Sequence, residues 1–189
     1  MLLSDRYAEA LTYAAAAHHG QFRKGTGIPY IAHPIAVSAL AIENGGTESQ
    51  AIAALLHDVL EDCGAHHGPE IERRFGADVL RIVEGLTDGV PDDSGAKPEW
   101  RSRKLDYLAH LATADLQTVL VSACDKLHNA TAIADDHALI GENIFERFSQ
   151  PKSETVWYYR ELLRVLADRL GEDHQLPVRL KAAVGRWAP

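Results

Sequence analysis

The stretch AALLHDVLED, residues 53–62, sets four ionisable groups directly into an apolar segment. An apolar run precedes His57 and Asp58, and Glu61 and Asp62 follow after two more apolar residues. Charged groups in such a segment cost free energy unless they are paired or bound to a metal. Because helical residues four apart share a face, the stretch forms one polar patch on a largely apolar helix.

The polar patch has two interpretations. Three carboxylates this close repel one another unless a cation or a proton lies between them. A divalent metal such as Mn, Fe or Zn resolves the conflict, because imidazole and carboxylate groups suit these ions. The alternative is a solvated helix end, in which Glu61 and Asp62 face water close to Gly64.

Two further segments of the sequence favour the interpretation of the polar patch as part of a metal site. PYIAHP places His33 at a rigid position, immediately before a helix that begins with a proline. In VLVSACDKLHNA a second apolar run ends in an acid, Asp125, with Asn129 one helical turn later. Together with the His-Asp pair of the first stretch, these segments supply two imidazoles and two carboxylates. Such a set is a plausible group of ligands for one ion that keeps positions for water.

The rest of the chain predicts helices throughout, and therefore an all-α fold. Helical periodicity, caps and glycine stops recur, whereas no sustained alternating segment or internal repeat is present. We expect the helix that carries the opening stretch to run from about Glu48 to Asp62. The other predicted helices begin near Ser4, Pro34, Pro69, Ala77, Trp100, Ala114, Glu142, Ser153 and Pro177. The polar segment DGVPDDSGAKPE, residues 88–99, is the one clear loop.

Length and charge narrow the class of protein. A chain of 189 residues predicts a single domain over residues 1–189. The net charge of -8 argues against a general binder of nucleic acid or of anionic membranes. No apolar run is long enough to predict a membrane span. Because the chain has only two cysteines and no basic region typical of a signal peptide, we expect a cytoplasmic protein.

The motifs resemble a known family. The order His33, His57-Asp58 and Asp125 matches the H…HD…D signature of the HD-domain phosphohydrolases. GQFRKGTGIPYIAHPIAV, ALLHDVLED and DKLHNA resemble the hydrolase domain of the RelA/SpoT alarmone enzymes and the small alarmone hydrolases. The resemblance covers about residues 5–170. It implies a compact HD-domain helical bundle, with residues 171–189 as a C-terminal helical extension.

The resemblance also implies an activity. The alarmone hydrolases use Mn²⁺ to hydrolyse the 3′-diphosphate of guanosine 3′,5′-bis(diphosphate) and of its triphosphate form. The products are pyrophosphate and GDP or GTP. The chain leaves no room for the synthetase domain of the long enzymes, so we expect it to degrade the alarmone and not to make it. One alternative is an HD phosphohydrolase for another nucleotide, namely an adenosine alarmone, NADPH or a 5′-nucleotide. Another is a protein that binds alarmone without turnover. We expect a nucleotide as the small-molecule partner, and neither a nucleic acid nor a membrane; an oligomer is left open.

The resemblance assigns roles position by position. The expected metal ligands are His33, His57, Asp58 and Asp125. The residues expected to position or activate the attacking water are Glu61 and Asp62. The expected substrate contacts are Arg23, Lys24, Lys104 and Asn129, with Arg147 and Lys152 as looser matches. Arg101 and Arg103 are added as basic candidates, because a negative chain needs a local basic cluster to bind an anionic nucleotide. We expect about half of such cations to be ordinary solvated surface.

Other conspicuous residues predict structural roles. We expect Trp157, Tyr158 and Tyr159 to lie in the core more readily than to form a base-stacking platform. We expect Cys63 and Cys124 to be buried thiols without a disulfide. His128 is either a neighbour of a metal ligand or simply buried. Most of the remaining histidines are expected at the surface or half-buried: His18, His19, His66, His67, His110, His137 and His174.

Overall fold

The computed structural model describes residues 2–89 and 98–188, and within these ranges the chain is helical without a β-strand. The helices are α1 (Asp5–Ala17), α2 (Ala32–Glu43), α3 (Glu48–Leu56), α4 (Val59–Asp62), α5 (Gly68–Phe75), α6 (Ala77–Leu86), α7 (Trp100–Thr113), α8 (Leu116–Ile140), α9 (Lys152–Leu170) and α10 (Gln175–Gly185). Short 3-10 turns occupy Ala65–His67 and Gly141–Arg147. The all-α prediction is confirmed. Most of the predicted loop, residues 90–97, lies outside the described residues.

Side-chain caps explain where several helices begin. Ser4 Oγ accepts the main-chain N–H of Arg6 at 3.3 Å at the start of α1, as the sequence predicts. At the start of α3, Thr47 and Gln50 form a reciprocal capping box. Asp115 caps α8 by accepting two main-chain N–H groups, so α8 begins two residues after the predicted Ala114. Each cap satisfies donors that a helix start leaves without partners.

The prediction of one continuous helix over residues 48–62 is wrong. Helix α3 ends at Leu56, and α4 begins at Val59 after a turn at His57 and Asp58. The imidazole Nδ1 of His57 lies 2.8 Å from the main-chain oxygen of Ala54. That oxygen is the acceptor that residue 58 would use in a continuous helix, so the side chain competes with the helical ladder.

Three other predicted helix starts also differ. Helix α2 begins at Ala32, so His33 lies in its first turn and not immediately before a helix that starts at Pro34. Ser153 does not cap α9, because the helix already begins at Lys152 and Pro151 precedes it as the N-terminal flanking residue. Helix α10 begins at Gln175 and not near Pro177, since the ring of His174 accepts the N–H of Leu176 at 3.2 Å. In all three cases the helix begins earlier in the chain than the sequence pattern indicated.

The core is arranged around two helices. Helix α8 contacts α2, α3, α6, α9 and α10, and α3 contacts α1, α2, α6 and α8. Residues 51–57 are all buried. Trp187, fully buried, donates its indole N–H to the oxygen of Ala130 at 3.3 Å and so ties the end of the chain to α8. The opening motif and the segment around Asp125 therefore lie on adjacent elements at the centre of the molecule.

Among the described residues, no helix is both long enough and apolar enough to cross a membrane.

Candidate metal centre and adjoining cleft

Four side chains from three parts of the chain meet in one buried group, called the ligand cluster: His33, His57, Asp58 and Asp125. His33 Nε2 lies 3.2 Å from His57 Nε2 and 3.2 Å from Asp125 Oδ1. His57 Nε2 lies 3.0 Å from Asp58 Oδ2 and 3.6 Å from Asp125 Oδ1. The structure thus brings together all four residues predicted as metal ligands.

Hydrogen bonds at the far side of each ring orient the two imidazoles. Since Nδ1 of His57 donates to the oxygen of Ala54, its Nε2 presents a lone pair to the cluster when the ring is neutral. Nδ1 of His33 lies 2.8 Å from Nδ1 of His128. Burial, followed by positive charge on His33 and Arg23, lowers the pKa of His128 to about 4, so this ring is neutral at pH 7. His128 is half-buried and is therefore a neighbour of a predicted ligand, the first of the two roles expected for it.

The donor set suits a divalent ion. Two imidazole nitrogens and two carboxylate oxygens are ligands for Mn, Fe or Zn. Bonds of about 2.1 Å from one ion place neighbouring ligand atoms about 3.0 to 3.4 Å apart. The observed separations of 3.0 to 3.6 Å match this spacing. His33, His57 and Asp58 alone offer ligand atoms that all lie within 4.8 Å of one another.

The pKa values show that the cluster stabilises positive charge. Burial opposes the charged form of His57, but Asp58 and Asp125 outweigh burial and hold its pKa well above the usual value. Burial also opposes ionisation of Asp58, yet the two imidazoles keep its pKa well below the usual value. The pKa of Asp125 is lowered as well, because Lys126 and the imidazoles outweigh burial. Without a metal, the cluster therefore favours the protonated form of His57.

Neighbouring side chains hold the two carboxylates of the cluster. Tyr30 Oη donates to Asp58 Oδ2 at 2.6 Å. Lys126 Nζ donates to Asp125 Oδ2 at 2.6 Å, and Asn129 Nδ2 donates to Asp125 Oδ1 at 2.7 Å. Sequence reasoning assigned no role to Tyr30 or Lys126, although both lie inside the motifs PYIAHP and DKLHNA. Adjacency to a predicted ligand was the signal that could have identified them.

A cleft of about 580 Å³ adjoins the ligand cluster. Tyr30, Lys126 and Asn129 line it, and the same three residues bond to the carboxylates of the cluster. The cleft is also lined by all of the predicted substrate contacts: Arg23, Lys24, Lys104 and Asn129. Arg147, one of the looser matches, lines it too.

Comparison with known proteins identifies the family. A family model described as the HD domain matches residues 10–150 of the chain. The chain belongs to the HD-domain family. The HD domain implies a divalent metal, for which the ligand cluster offers His33, His57 and Asp58.

Curated relatives align with more than half of this chain. A probable guanosine-3′,5′-bis(diphosphate) 3′-pyrophosphohydrolase of Synechocystis is 34% identical over 111 residues, covering 59% of this chain and 14% of the relative. A GTP pyrophosphokinase of Myxococcus xanthus is 31% identical over 170 residues, covering 88% of this chain and 21% of the relative. The chain thus spans about a fifth or less of the length of these two relatives.

Solved structures share the fold. One, described as a metazoan ortholog of SpoT that hydrolyses ppGpp and plays a role in starvation responses, matches with a TM-score of 0.79 and 25% identity. The match covers 100% of this chain and 98% of that one. A protein of Listeria monocytogenes EGD-e matches with a TM-score of 0.70 and 22% identity, over 80% of this chain and 96% of its own. The second likeness concerns the fold alone.

The carboxylates that follow the HD pair lie on α4. Glu61 is half-buried, and its Oε2 accepts the main-chain N–H of Asp88 at 3.3 Å. Asp62 is exposed, and its main-chain oxygen lies 3.5 Å from Nε2 of Gln21. The turn at the HD pair separates α3 from α4, so the four groups do not lie on one continuous helix, contrary to the prediction. Within this turn Asp62 still donates its main-chain N–H to the oxygen of Asp58 at 2.8 Å.

The cleft carries more positive than negative charge. Its basic side chains are Arg23, Lys24, Lys104, Lys126 and Arg147, and its acids are Asp135 and Asp136. Arg23 Nη2 donates to Asn129 Oδ1 at 3.0 Å, and Arg147 Nη1 donates to Asp136 Oδ2 at 2.7 Å. Lys104 pairs with Asp88, which lies two residues after the end of α6. A chain with a net charge of -8 thus contains a locally basic cleft.

Three other basic candidates have partners elsewhere. Arg101 pairs with Glu154 at 2.6 Å and stacks on Trp157, with its guanidinium 4.0 Å from the ring centroid. Arg103 donates to the main-chain oxygen of Asp88 at 2.7 Å. Lys152 pairs with Glu142 at 2.7 Å. None of Arg101, Arg103 and Lys152 lines the cleft as the described residues form it.

The three consecutive aromatic residues of α9, residues 157–159, do not all have the same surroundings. Tyr158 and Tyr159 are 5% exposed, as expected of core residues, and both also line the cleft. Trp157 is half-buried and faces Arg101. Cys124 is buried as predicted, whereas Cys63 is only half-buried; both are free thiols.

His18 departs from the prediction for the remaining histidines. It is 3% exposed, and its ring lies 4.9 Å from the ring of Tyr30, centroid to centroid. Its Nδ1 lies 2.8 Å from Oε1 of Gln21. His67 is half-buried beside the hydroxyl of Tyr13, at 2.6 Å, in line with the prediction.

Proposed function

We propose that this chain catalyses the metal-dependent hydrolysis of the 3′-diphosphate of guanosine 3′,5′-bis(diphosphate) and of its triphosphate form. The products are pyrophosphate and GDP or GTP. The proposal rests on the observation that the basic cleft adjoins the ligand cluster. Three residues that line the cleft also donate hydrogen bonds to the carboxylates of the cluster: Tyr30, Lys126 and Asn129. The names of the Synechocystis relative and of the metazoan structure support the same substrate.

The distribution of charge in the cleft supports a nucleotide with phosphates at two positions. Lys126 bonds the ligand cluster directly, and Lys104 is near enough to Lys126 for the two charges to interact. Arg147 lies beside Asp136, which follows Lys126 by almost three helical turns on α8. Cations separated in this way match a ligand with anionic groups on both its 3′ and its 5′ sides better than a simple 5′-nucleotide.

The side chains of the site have distinct tasks in this reaction. A divalent ion held by His33, His57, Asp58 and Asp125 would lower the pKa of the attacking water and neutralise charge on phosphate. Glu61 and Asp62 orient that water or accept its proton. The water oxygen forms a bond to the phosphorus next to the 3′ oxygen, and the bond between that phosphorus and the 3′ oxygen breaks. Pyrophosphate leaves, and the 3′ oxygen takes up a proton.

The remaining contacts bind and orient the nucleotide. Arg23, held by Asn129, presents a guanidinium for the nucleotide, and Asn129 lies within reach of its ribose or base. Lys24 and Lys104, which both line the cleft, neutralise phosphate charge. We propose Mn²⁺ as the ion, since mixed imidazole and carboxylate ligation suits it and the resemblance to alarmone hydrolases favours it.

A panel of nucleotides tests the function. The chain is loaded with Mn²⁺ and incubated with nucleotides that carry 3′, 2′ or 5′ phosphates, and the products are identified by mass. We expect pyrophosphate from guanosine 3′,5′-bis(diphosphate) and from the triphosphate form, and none from nucleotides without a 3′-diphosphate.

Each alternative predicts a different outcome of the panel. Orthophosphate from NADPH or from a 5′-nucleotide would replace the proposal by an HD phosphohydrolase of another specificity. Turnover of an adenosine alarmone alone would retain the reaction and change the base. Tight binding of guanosine alarmone without any product would identify a non-catalytic alarmone-binding protein.

A further inference from the structure

Asp88 connects two groups of the site that come from different helices. It lies two residues after the end of α6 and is 7% exposed. Its main-chain N–H donates to Glu61 Oε2 at 3.3 Å, and its carboxylate forms an ion pair with Lys104. Its main-chain oxygen accepts a hydrogen bond from Arg103 Nη1 at 2.7 Å. A buried acid with contacts to a water-handling residue and to a cleft lysine is well placed to influence both.

The ammonium of Lys104 has a defined place in the wall of the cleft. Its Nζ lies 4.9 Å from the ring centroid of Tyr158 and 5.8 Å from that of Trp100. The side chain is 15% exposed. A lysine has a flexible stem and loses side-chain entropy when it is fixed, so its neighbours must hold it. Asp88 supplies the carboxylate of this arrangement.

The pair of Asp88 and Lys104 lies at the hydrolytic end of the cleft. Glu61, which contacts Asp88, follows the HD pair by three residues. Lys126, which bonds Asp125 of the ligand cluster, is near enough to lower the pKa of Lys104, although burial lowers it more. With the proposed function, a cation fixed at this place would face the phosphate that is attacked.

We propose that Asp88 is a positioning residue that fixes the Lys104 ammonium where negative charge develops on the attacked 3′-diphosphate. The inference rests on the proposed function and goes beyond it, because it assigns a task to an acid that belongs neither to the ligand cluster nor to the described residues that line the cleft. Charge-assisted contacts made in the transition state raise kcat, whereas contacts made equally in the bound substrate change KM. Asp88 is therefore expected to act on kcat through Lys104.

The substitution Asp88→Asn separates positioning from simple electrostatics. It keeps the main-chain N–H that Glu61 accepts and removes the carboxylate charge, which pairs with Lys104 and, at 3.4 Å, with Arg103. If Asp88 acted merely as a negative charge, its removal would strengthen the binding of an anion and lower KM. If Asp88 positions Lys104, we expect kcat to fall about 10- to 100-fold while KM changes by less than about threefold.

A double-mutant cycle with Lys104 tests the route of the effect. Pyrophosphate release by the Mn²⁺-loaded chain is measured for wild type, Asp88→Asn, Lys104→Met and the double variant. We expect Asp88→Asn to reduce kcat by less than about twofold once Lys104 is already replaced. The matched control is Glu154→Gln, which breaks the ion pair of Arg101 on the same helix outside the cleft and should leave kcat unchanged. An equal loss of kcat in the Lys104→Met background, or a gain in kcat/KM from Asp88→Asn, would overturn the proposal.

The pH profile supplies a readout that a purely structural role would not move. Burial and Lys126 lower the pKa of Lys104, Asp88 opposes them, and Arg103 on the same helix lowers it further. From α9, Lys104 faces the ring of Tyr158. We expect Asp88→Asn to move the alkaline limb of kcat to lower pH, whereas Asp88→Glu, which keeps the charge, retains it. An alkaline limb that stays at the same pH in Asp88→Asn would overturn the proposal. If Asp88→Asn does not fold, the position of the limb in Asp88→Glu remains as the test.

Failure of the function and failure of this inference give different results. If wild type released no pyrophosphate from any nucleotide of the panel, the proposed function would be wrong. The pKa of the Lys104 ammonium, measured by NMR on the labelled side chain, tests the coupling without turnover. Asp88→Asn should lower that pKa and Glu154→Gln should not; an unchanged pKa in Asp88→Asn would refute the coupling itself.

Discussion

Asp58 and Glu61 are carboxylates of one short motif, yet their surroundings differ. Asp58 Oδ2 lies 3.0 Å from a ring nitrogen of His57 and accepts a hydrogen bond from Tyr30 at 2.6 Å. Glu61 lies on the next helix and accepts a main-chain N–H from Asp88. An acid among imidazole nitrogens has the surroundings of a metal ligand, whereas Glu61 is placed to act on water.

Neutral isosteres should separate these two carboxylates. Asp58→Asn removes a ligand charge, so metal content and activity should fall together. Glu61→Gln leaves the ligands intact but removes a proton acceptor, so Mn²⁺ should stay bound while kcat falls about 10²- to 10⁴-fold. Elemental analysis beside kcat measures both effects. Loss of metal in Glu61→Gln as complete as in Asp58→Asn would make Glu61 a ligand, and normal turnover would make it a solvated helix end.

Tyr30 should support metal binding through Asp58. Removal of a hydrogen-bond partner of a metal ligand costs about 10- to 100-fold in metal affinity or activity. We expect Tyr30→Phe to weaken Mn²⁺ binding in that range, measured by titration calorimetry. The control is Tyr13→Phe, which removes a hydroxyl bonded to His67 at 2.6 Å outside the cluster. Equal Mn²⁺ affinities in the two variants would show that the hydroxyl of Tyr30 does not support the ligand.

At the scale of elements, the segment between α1 and α2 forms one wall of the cleft. It carries Arg23 and Lys24, and an isolated bridge joins Phe22 to Pro29 within it. Gly25 adopts a φ of +73°. A Cβ on Gly25 would lie 2.7 Å from Cδ of Arg147, so the wall packs directly on that side chain. The basic side chains of the segment between α1 and α2 are thereby held close to Arg147.

Two glycine substitutions should differ in function and not in stability. Gly20 also has a positive φ, of +78°, but no atom lies within 4 Å of a Cβ built on it. Both Gly20→Ala and Gly25→Ala should cost about 1 to 2 kcal/mol of unfolding free energy from backbone strain. Only Gly25→Ala displaces Arg147, so only this variant should raise KM, by about tenfold. Chemical denaturation and steady-state kinetics measure the two quantities; equal KM values would contradict the role of Arg147.

The elements that sequence reasoning predicted well are those whose signals are local. Apolar runs that end in His57-Asp58 and in Asp125 predicted the ligand cluster, because an unpaired charge in an apolar segment demands a partner. The break between α3 and α4 was missed, since it follows from the bond of His57 to the oxygen of Ala54, and side-chain rotamers cannot be predicted from helical spacing. The role of Asp88 was also missed. Its partners Glu61 and Lys104 lie 27 and 16 residues away, and one contact uses the main chain.

For the molecule as a whole, the ligand cluster ties α2, the turn after α3, and α8 to one another. Removal of the metal should therefore lower Tm, and Mn²⁺ should restore it, because an ion that binds only the folded state stabilises it. An unchanged melting curve after verified removal of metal would contradict this expectation.

The stabilisation by metal should also grow with pH. Because the pKa of His57 is raised in the folded protein without metal, its proton stabilises that state fully below about pH 6.5. This contribution is lost as the pH rises through the raised pKa. The lowered pKa values of Asp58 and Asp125 contribute stability that is lost only in acid, so they do not alter the trend between pH 6 and 8. The difference in Tm between Mn²⁺-loaded and metal-free protein, measured by calorimetry, should widen from pH 6 to 8; a constant difference would contradict the proton competition.

The spacing of the ligands along the chain has a kinetic consequence. His33, His57 and Asp125 are far apart in sequence, and no complete set of donors exists until α8 has packed against α2 and α3. If the ion binds only after these helices have packed, it contributes little to the stability of the folding transition state. It then lowers the unfolding rate and leaves the folding rate unchanged. Saturating Mn²⁺ should accordingly shift the unfolding arm of a chevron plot and leave the folding arm in place. The metal would then increase the kinetic stability of a structure whose apolar core has already formed.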